Sequence, residues 1–273
     1  MRGAPPGSSG PTSTGTSRLL LSGGLATGWF GLQVLAGRSL DERGFGLFTL
    51  ATTAAALALA LVARSPRGWP GSDPRALPEA RTGHRAVEAA RALTLRLDRL
   101  LIPFFVDLPM LGFYAAAANF LFVFDLLGVG QAEYQRSRPG RTGEAAFARA
   151  WLAPLGLVGL GLAVLVGVVP AALHLFFSGR FDASAGLLLP LAAVASLRML
   201  QAVPGGLLAA RPKEERRGWL LHFEGAMVVL QLALLFLLLP MIGLMGAVLA
   251  NGVIAALRLA TYSSIARRVE AGR

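Results

Sequence analysis

The sequence is cut into long apolar runs by short charged or proline-rich turns, and this spacing constrains the fold more than any other feature. The runs Leu19–Gly37, Gly44–Ala63, Met110–Gln131, Ala150–Phe177, Ala183–Ala210, Trp219–Leu239 and Leu244–Ala266 match or approach the ~20 residues that a helix needs to cross a bilayer. They are continuous rather than alternating, which argues against a β-barrel. Charged residues make up only 15% of the chain, against roughly 25% in soluble domains. The expected fold is an all-α, polytopic membrane helix bundle.

One stretch departs from this pattern, and the other runs are expected to wall it in. In Ala86–Asn119, the first half alternates charged and apolar residues at helical spacing. Arg85, Glu88, Arg96 and Arg99 fall on one side of a 3.6-residue helix. Leu93, Leu97, Leu100, Leu101 and Phe104 fall on the other. Asp107 and Pro109 then interrupt it before Gly112-Phe113-Tyr114-Ala115. A membrane helix with a charged face must turn it toward water or protein, because charge facing lipid costs several kcal/mol.

Counting this half-polar helix gives about eight transmembrane helices. Met1–Ser17 is rich in Gly, Pro, Ser and Thr and reads as a disordered tail, with no clear cleavage site after the first apolar run to mark a signal peptide. Arg64–Arg85 carries four prolines among its arginines and reads as a loop. With the N-terminus in the cytoplasm, the inner segments hold 21 basic residues and the outer turns three, Arg38, Arg43 and Arg180. That bias satisfies the positive-inside rule with both termini cytoplasmic. It also accounts for the +11 net charge without a nucleic-acid surface. There is no cysteine, and the three histidines, His84, His174 and His222, are widely spread, so no metal site, cofactor or catalytic constellation is expected and the chain does not read as an enzyme.

The sequence echoes itself once. Asp41-Glu-Arg-Gly-Phe-Gly46-Leu47-Phe48 and Asp107-Leu-Pro-Met-Leu-Gly112-Phe113-Tyr114 share an Asp, a Gly five residues on and an apolar or aromatic pair. Each is followed by an Ala-rich or Ala/Thr-rich helix, and each is placed at an outer turn. Related repeats of this kind build many transporters.

Leu97-Asp98-Arg99-Leu100-Leu101, followed by Gly112-Phe113-Tyr114-Ala115-Ala116-Ala117, resembles a signature of polysaccharide biosynthesis proteins. These are the O-antigen-type flippases of the multidrug/oligosaccharidyl-lipid/polysaccharide exporter superfamily. Asp41–Phe48 resembles that family's turn between its first two helices, and Leu175–Ala185 and Ile242–Ala250 look like its later segments. The resemblance implies a bacterial cytoplasmic-membrane transporter that passes an isoprenoid pyrophosphate-linked oligosaccharide outward for cell-surface polysaccharide synthesis. Its partners would be the lipid-linked saccharide, membrane lipids, and glycosyltransferases or a polymerase of the same pathway. The family has two six-helix lobes. Residues 18–64 look like a two-helix remnant of the first lobe, 65–85 like a cytoplasmic loop, 86–267 like a complete second lobe, and 268–273 like a polar tail. The shortening implies a degenerate member, a subunit that forms a homo-oligomer to restore a cavity, or the product of an internal deletion. Non-transporting membership of a polysaccharide-synthesis complex and cation-coupled drug export are the alternatives.

Under this resemblance, Arg96, Arg99, Arg198 and Arg258 are the candidate ligands of the pyrophosphate. Each has a plainer reading. Arg96 and Arg99 can snorkel to inner headgroups, and Arg198 and Arg258 can pair with Asp125 or Glu224. Asp98, Asn119, Gln201 and Asn251 are candidate polar residues of the cavity. Asp98 is otherwise a counter-charge to a neighbouring Arg, and Asn119, Gln201, Gln231 and Asn251 are otherwise interhelical hydrogen-bond bridges. His222 and Glu224 are expected at the inner membrane surface. The glycines of Gly156–Gly161 and Gly243–Gly252 serve close helix contact rather than a phosphate loop, since no strand precedes them.

The basic-residue distribution makes a first prediction. Reporter fusions after Arg180 should report outside, and those after Arg141 and Lys213 inside. An outside signal at Lys213 would overturn the helix count.

Overall fold

The computed structural model describes residues 13–62, 86–87, 89–136, 148–209 and 217–270. The N-terminal tail up to residue 12, the loop 65–85, Glu88, Arg141, Arg211, Lys213 and the last three residues lie outside them. The described chain is all-α, with no strand. Its helices are α1 (Ser13–Ser39), α2 (Glu42–Val62), a helical segment at 89–94, α3 (Leu97–Phe105), α4 (Leu108–Asn119), α5 (Phe122–Arg136), α6 (Leu152–Phe177), α7 (Ala185–Ala209), α8 (Arg217–Ile242) and α9 (Leu244–Glu270). A short 3-10 turn, Asp182–Ser184, leads into α7.

Among the described residues, four helical stretches are long and apolar enough to cross a membrane: Leu152–Phe177, Asp182–Leu208, Trp219–Ile242 and Leu244–Val269. A fifth is formed if α4 and α5, bent by 46° at their junction, act as one span. The bend has a local cause. Phe120 and Leu121 donate to Ala117 and Ala118 in the tight i→i+3 pattern, at 3.3 and 3.1 Å, so the regular α-helical bonding is interrupted there. The single run expected over Met110–Gln131 is therefore two helices.

Side-chain contacts sort the turns into two ends. At one end, the Arg180 guanidinium donates to the Leu40 carbonyl at 2.9 Å. Phe181 stacks edge-on against Phe45 at 5.2 Å and Phe113 at 5.6 Å. The turns at Leu40–Asp41, Val106–Asp107 and Ser178–Asp182 thus meet. The Gly243 turn joins α8 to α9 at φ 59°, and Phe236, near the end of α8, packs on Phe105 at 5.1 Å. At the other end, Leu208, Tyr262 and Ala266 are buried together with Trp151, Trp219 and Phe223. One apolar core runs through the bundle and takes in residues from Phe45 of α2 to Ala255 of α9. By contrast α6 is barely covered, with Leu152, Leu155, Leu160, Val166 and Leu175 all exposed. An apolar face of that size is stable against lipid or protein, not water.

The two echoed turns pack against each other reciprocally. Asp41 Oδ1 accepts the Gly44 N–H, and Asp107 Oδ1 accepts the Met110 N–H, each at 2.7 Å, so both aspartates cap a helix start at the same spacing. A Cβ on Gly46 would lie 2.0 Å from the Leu108 carbonyl oxygen, and one on Gly112 would lie 2.6 Å from that of Glu42. In each case the fifth residue after one Asp rests on the first residue after the other. The contact is a local pseudo-twofold, with α2 and α4 meeting backbone to backbone.

Because the atoms met are backbone, neither glycine site can relax. Gly46→Ala and Gly112→Ala should each destabilise the purified protein by ~1–3 kcal/mol or more in a detergent melt. Gly159→Ala, which faces open space, should be neutral or slightly stabilising. A Gly46→Ala protein that melts with the parent would mean that the helices do not meet this closely.

Candidate functional site: a broken helix and its polar chain

The half-polar helix is broken at Leu95–Arg96, between the segment 89–94 and α3. Arg96 N–H donates to the Leu93 carbonyl at 2.9 Å, an i→i+3 bond, and regular bonding resumes with Leu100 N–H to Arg96 at 3.2 Å. The Thr94 carbonyl accepts instead from Nε2 of the fully buried Gln231 on α8, at 2.8 Å. A carbonyl left unpaired in an apolar interior would cost several kcal/mol.

A continuous chain of hydrogen bonds leaves this point in two directions. In the first, Gln231 Nε2 also donates to Asn251 Oδ1 at 2.7 Å. Asn251 Nδ2 donates to Asp98 Oδ2 at 2.7 Å and to the Tyr114 hydroxyl at 3.2 Å. That hydroxyl in turn donates to Asp98 Oδ2 at 2.5 Å, and Asp98 Oδ1 accepts the Arg99 backbone N–H at 2.7 Å. Asp98 and Tyr114 are both buried. Asp98 was expected to pair with an arginine side chain; its carboxylate is held by a tyrosine, an amide and a backbone N–H.

In the second direction, the Thr94 hydroxyl accepts from Arg258 Nη2 at 3.1 Å and donates to the Ala90 carbonyl at 2.7 Å. Arg258 Nη2 also donates to Glu224 Oε2 at 2.5 Å. Glu224 Oε1 accepts from Arg91 Nε at 2.8 Å and from the Tyr262 hydroxyl, and Arg91 Nη2 donates to Tyr262 at 2.8 Å. Glu224 is completely buried and Arg258 nearly so. Glu224, in the second turn of α8, thus faces the protein interior rather than solvent. A buried carboxylate needs cations on hand, and residues far apart in sequence supply two. Both guanidiniums, of Arg91 and Arg258, bond Glu224, whereas the bonds to Asp98 come from Tyr114, Asn251 and a backbone N–H.

The four candidate arginines divide. Arg96 is half-buried and feels the like charges of Arg99 and Arg198. Arg96 and Arg99 lie one helical turn apart at the break in the half-polar helix. Arg198, midway along α7, pairs with Asp125 on α5 at 2.7 Å, and both side chains are substantially exposed. Arg258 belongs to the Glu224 cluster instead. Of the polar candidates, Asn251 is in the buried chain. Gln201 donates to the Ala255 carbonyl at 2.7 Å and so ties α7 to α9. Asn119 donates to Gln33 of α1 at 3.3 Å.

Sequence reasoning missed Arg91, Thr94, Tyr114 and Tyr262 as members of the chain. The signal was polar periodicity. Arg91, Thr94 and Asp98 share one helical face, as do Glu224 and Gln231, and Asn251, Arg258 and Tyr262. No group of three or more acidic or histidine side chains suited to a metal ion occurs among the described residues. Comparison with protein-family models, curated proteins and solved structures gives no match to this chain.

Removing Glu224's charge strands two guanidiniums. Glu224→Gln should therefore cost ~3–5 kcal/mol in a detergent melt. Gln231→Leu, which leaves the Thr94 carbonyl without its partner, should cost ~1–3 kcal/mol. An unchanged melting temperature for Glu224→Gln would show that the ionic cluster does not hold the bundle.

Proposed function

We propose that this chain is a transporter of the bacterial cytoplasmic membrane, crossing it eight times with both termini inside, and that it passes an isoprenoid pyrophosphate-linked oligosaccharide between leaflets. The observation that carries this reading is the partly exposed Arg198–Asp125 ion pair, whose arginine sits in the middle of a long apolar helix, with Arg96 and Arg99 one turn apart on the half-polar helix and Arg96 within reach of Arg198's charge. Such charge is tolerated within a bilayer only where water or an anion meets it. A pyrophosphate is the matching anion, since guanidinium groups bind phosphate oxygens through paired, charge-assisted hydrogen bonds. The Leu97–Leu101 and Gly112–Ala117 motifs, with their resemblance to oligosaccharide flippases, point to the same substrate class. Passage needs no catalysis, only a hydrated cationic surface open to the lipid tail.

A second reading keeps the ancestry without the transport. The proline- and arginine-rich stretch Arg64–Arg85 stands where the family has further helices, which favours a membrane partner of a polysaccharide-synthesis complex. A cation-coupled exporter would be favoured by more acids in the bundle: Asp98 and Glu224 are both engaged in the buried chain, which leaves the half-exposed Asp125, paired with Arg198, as its candidate among the described spans.

Complementation of a flippase-deficient strain decides between the first two. Arg96→Lys, Arg99→Lys and Arg198→Lys keep the charge but lose the fork geometry, and each should reduce complementation about tenfold or more. Full activity in all three would remove them from the site. Failure of the unmodified chain would favour the partner reading.

A further inference from the structure

The Arg198–Asp125 pair differs from the ion pairs of the buried chain in its carboxylate: Glu224 is fully buried, whereas the Asp125 side chain is 53% exposed and packing does not hold it. Asp125 lies in the first turn of α5, directly after the bend at Phe120–Leu121. A helix start stabilises a carboxylate through its unpaired N–H groups and its dipole. Arg198 in turn lies close enough to Arg96 for their charges to repel. A half-exposed guanidinium held by a single carboxylate, with the like charge of Arg96 nearby, can exchange that partner for an anion of higher charge.

We propose that Asp125 is an internal stand-in for the substrate's phosphate. It holds Arg198 while the site is empty, and the diphosphate of an incoming headgroup displaces it as Arg96, Arg99 and Arg198 close on that group. The proposal rests on the anion-passage reading above and adds a residue that governs selectivity and release. Displacing the carboxylate costs an ion pair, which a diphosphate repays through several oxygens and a singly charged headgroup repays less well. When the substrate leaves, Asp125 recaptures Arg198, so the site does not hold its cargo indefinitely. A transporter needs this balance, because a site that binds too tightly stops turnover.

The test uses the purified full-length chain in detergent and two probes, inorganic pyrophosphate and a short-chain isoprenyl pyrophosphate, titrated by calorimetry. Asp125→Asn, nearly isosteric, should bind both probes about two- to fivefold more tightly, the range that a half-exposed ion pair is worth. Asp125→Ala should shift binding in the same direction, which guards against a folding defect peculiar to one variant. Arg198→Gln should weaken binding. In the Arg198→Gln background, Asp125→Asn should bring no gain.

Unchanged or weaker binding in both Asp125 variants would overturn the proposal and make Asp125 a support that positions Arg198. A gain that persists without Arg198 would also overturn it, since it would report only the removal of a negative charge nearby. If the unmodified chain and all variants bind neither probe, the anion-passage reading falls and the stand-in falls with it. Binding by the unmodified chain without the expected gain would sink the stand-in alone.

Discussion

A carboxylate that water cannot reach must find its compensation in the protein, and Glu224 does so through three residues of two other segments. This requirement decides which helices stand side by side. Segment 89–94, α8 and α9 are bound together around Glu224, while α3 and α4 join α8 and α9 around Asp98 through Tyr114, Asn251 and Gln231. Apolar packing in a bilayer is a weak guide to pairing, since lipid is as apolar as leucine. Buried ionic groups often add little net stability, and their best-attested use is to fix register. In this bundle they select one arrangement from the many that the apolar faces would permit.

The same buried chain explains why a helix can be broken in its middle. The break at Leu95–Arg96 exposes the Thr94 carbonyl, and Gln231 meets it. The break also divides the helix's polar residues between two environments. Asp98 turns inward to the hydrogen-bonded chain, and the adjacent Arg99 is only half-buried, with its N–H bonded to the Asp98 carboxylate. The fixed network thus sets the position of the arginines that lie outside it. Support and candidate site are neighbours on one helical turn.

Much of this was legible in the sequence, and the rest was hidden for identifiable reasons. The apolar runs gave the all-α bundle, because the bilayer's thickness imposes a length that shows in a one-dimensional reading. The Asp41 and Asp107 echo was visible because capping chemistry is local: both aspartates bond three residues ahead. The chain around Glu224 and Asp98 was legible only in part: Arg258 as a partner for Glu224 and the bridging of Gln231 and Asn251 could be read, but Arg91, Thr94, Tyr114 and Tyr262 could not, although they lie at helical spacing. A polar stripe within one helix looks the same whether it meets water, a headgroup or another helix. Glu224 and Arg91 stand 133 residues apart, and nothing along the chain announces their meeting. The bend at Phe120–Leu121 was equally hidden, since it carries neither proline nor glycine.

The reciprocal rest of α2 on α4 bears on how such a bundle could change shape. Where side chains separate two helices, a small displacement is absorbed by rotamer changes. At Gly46 and Gly112 there is only main chain on main chain, so the two helix starts behave as one stiff body and a push on either is passed whole to the other. Any rearrangement must then be taken up where the structure is compliant. The bent junction between α4 and α5 is one such place, and the sparsely covered α6 is the other. Asp125 lies immediately beyond that junction while its partner Arg198 is on α7, so local flexing there would alter the reach between carboxylate and guanidinium while the capped end stayed still.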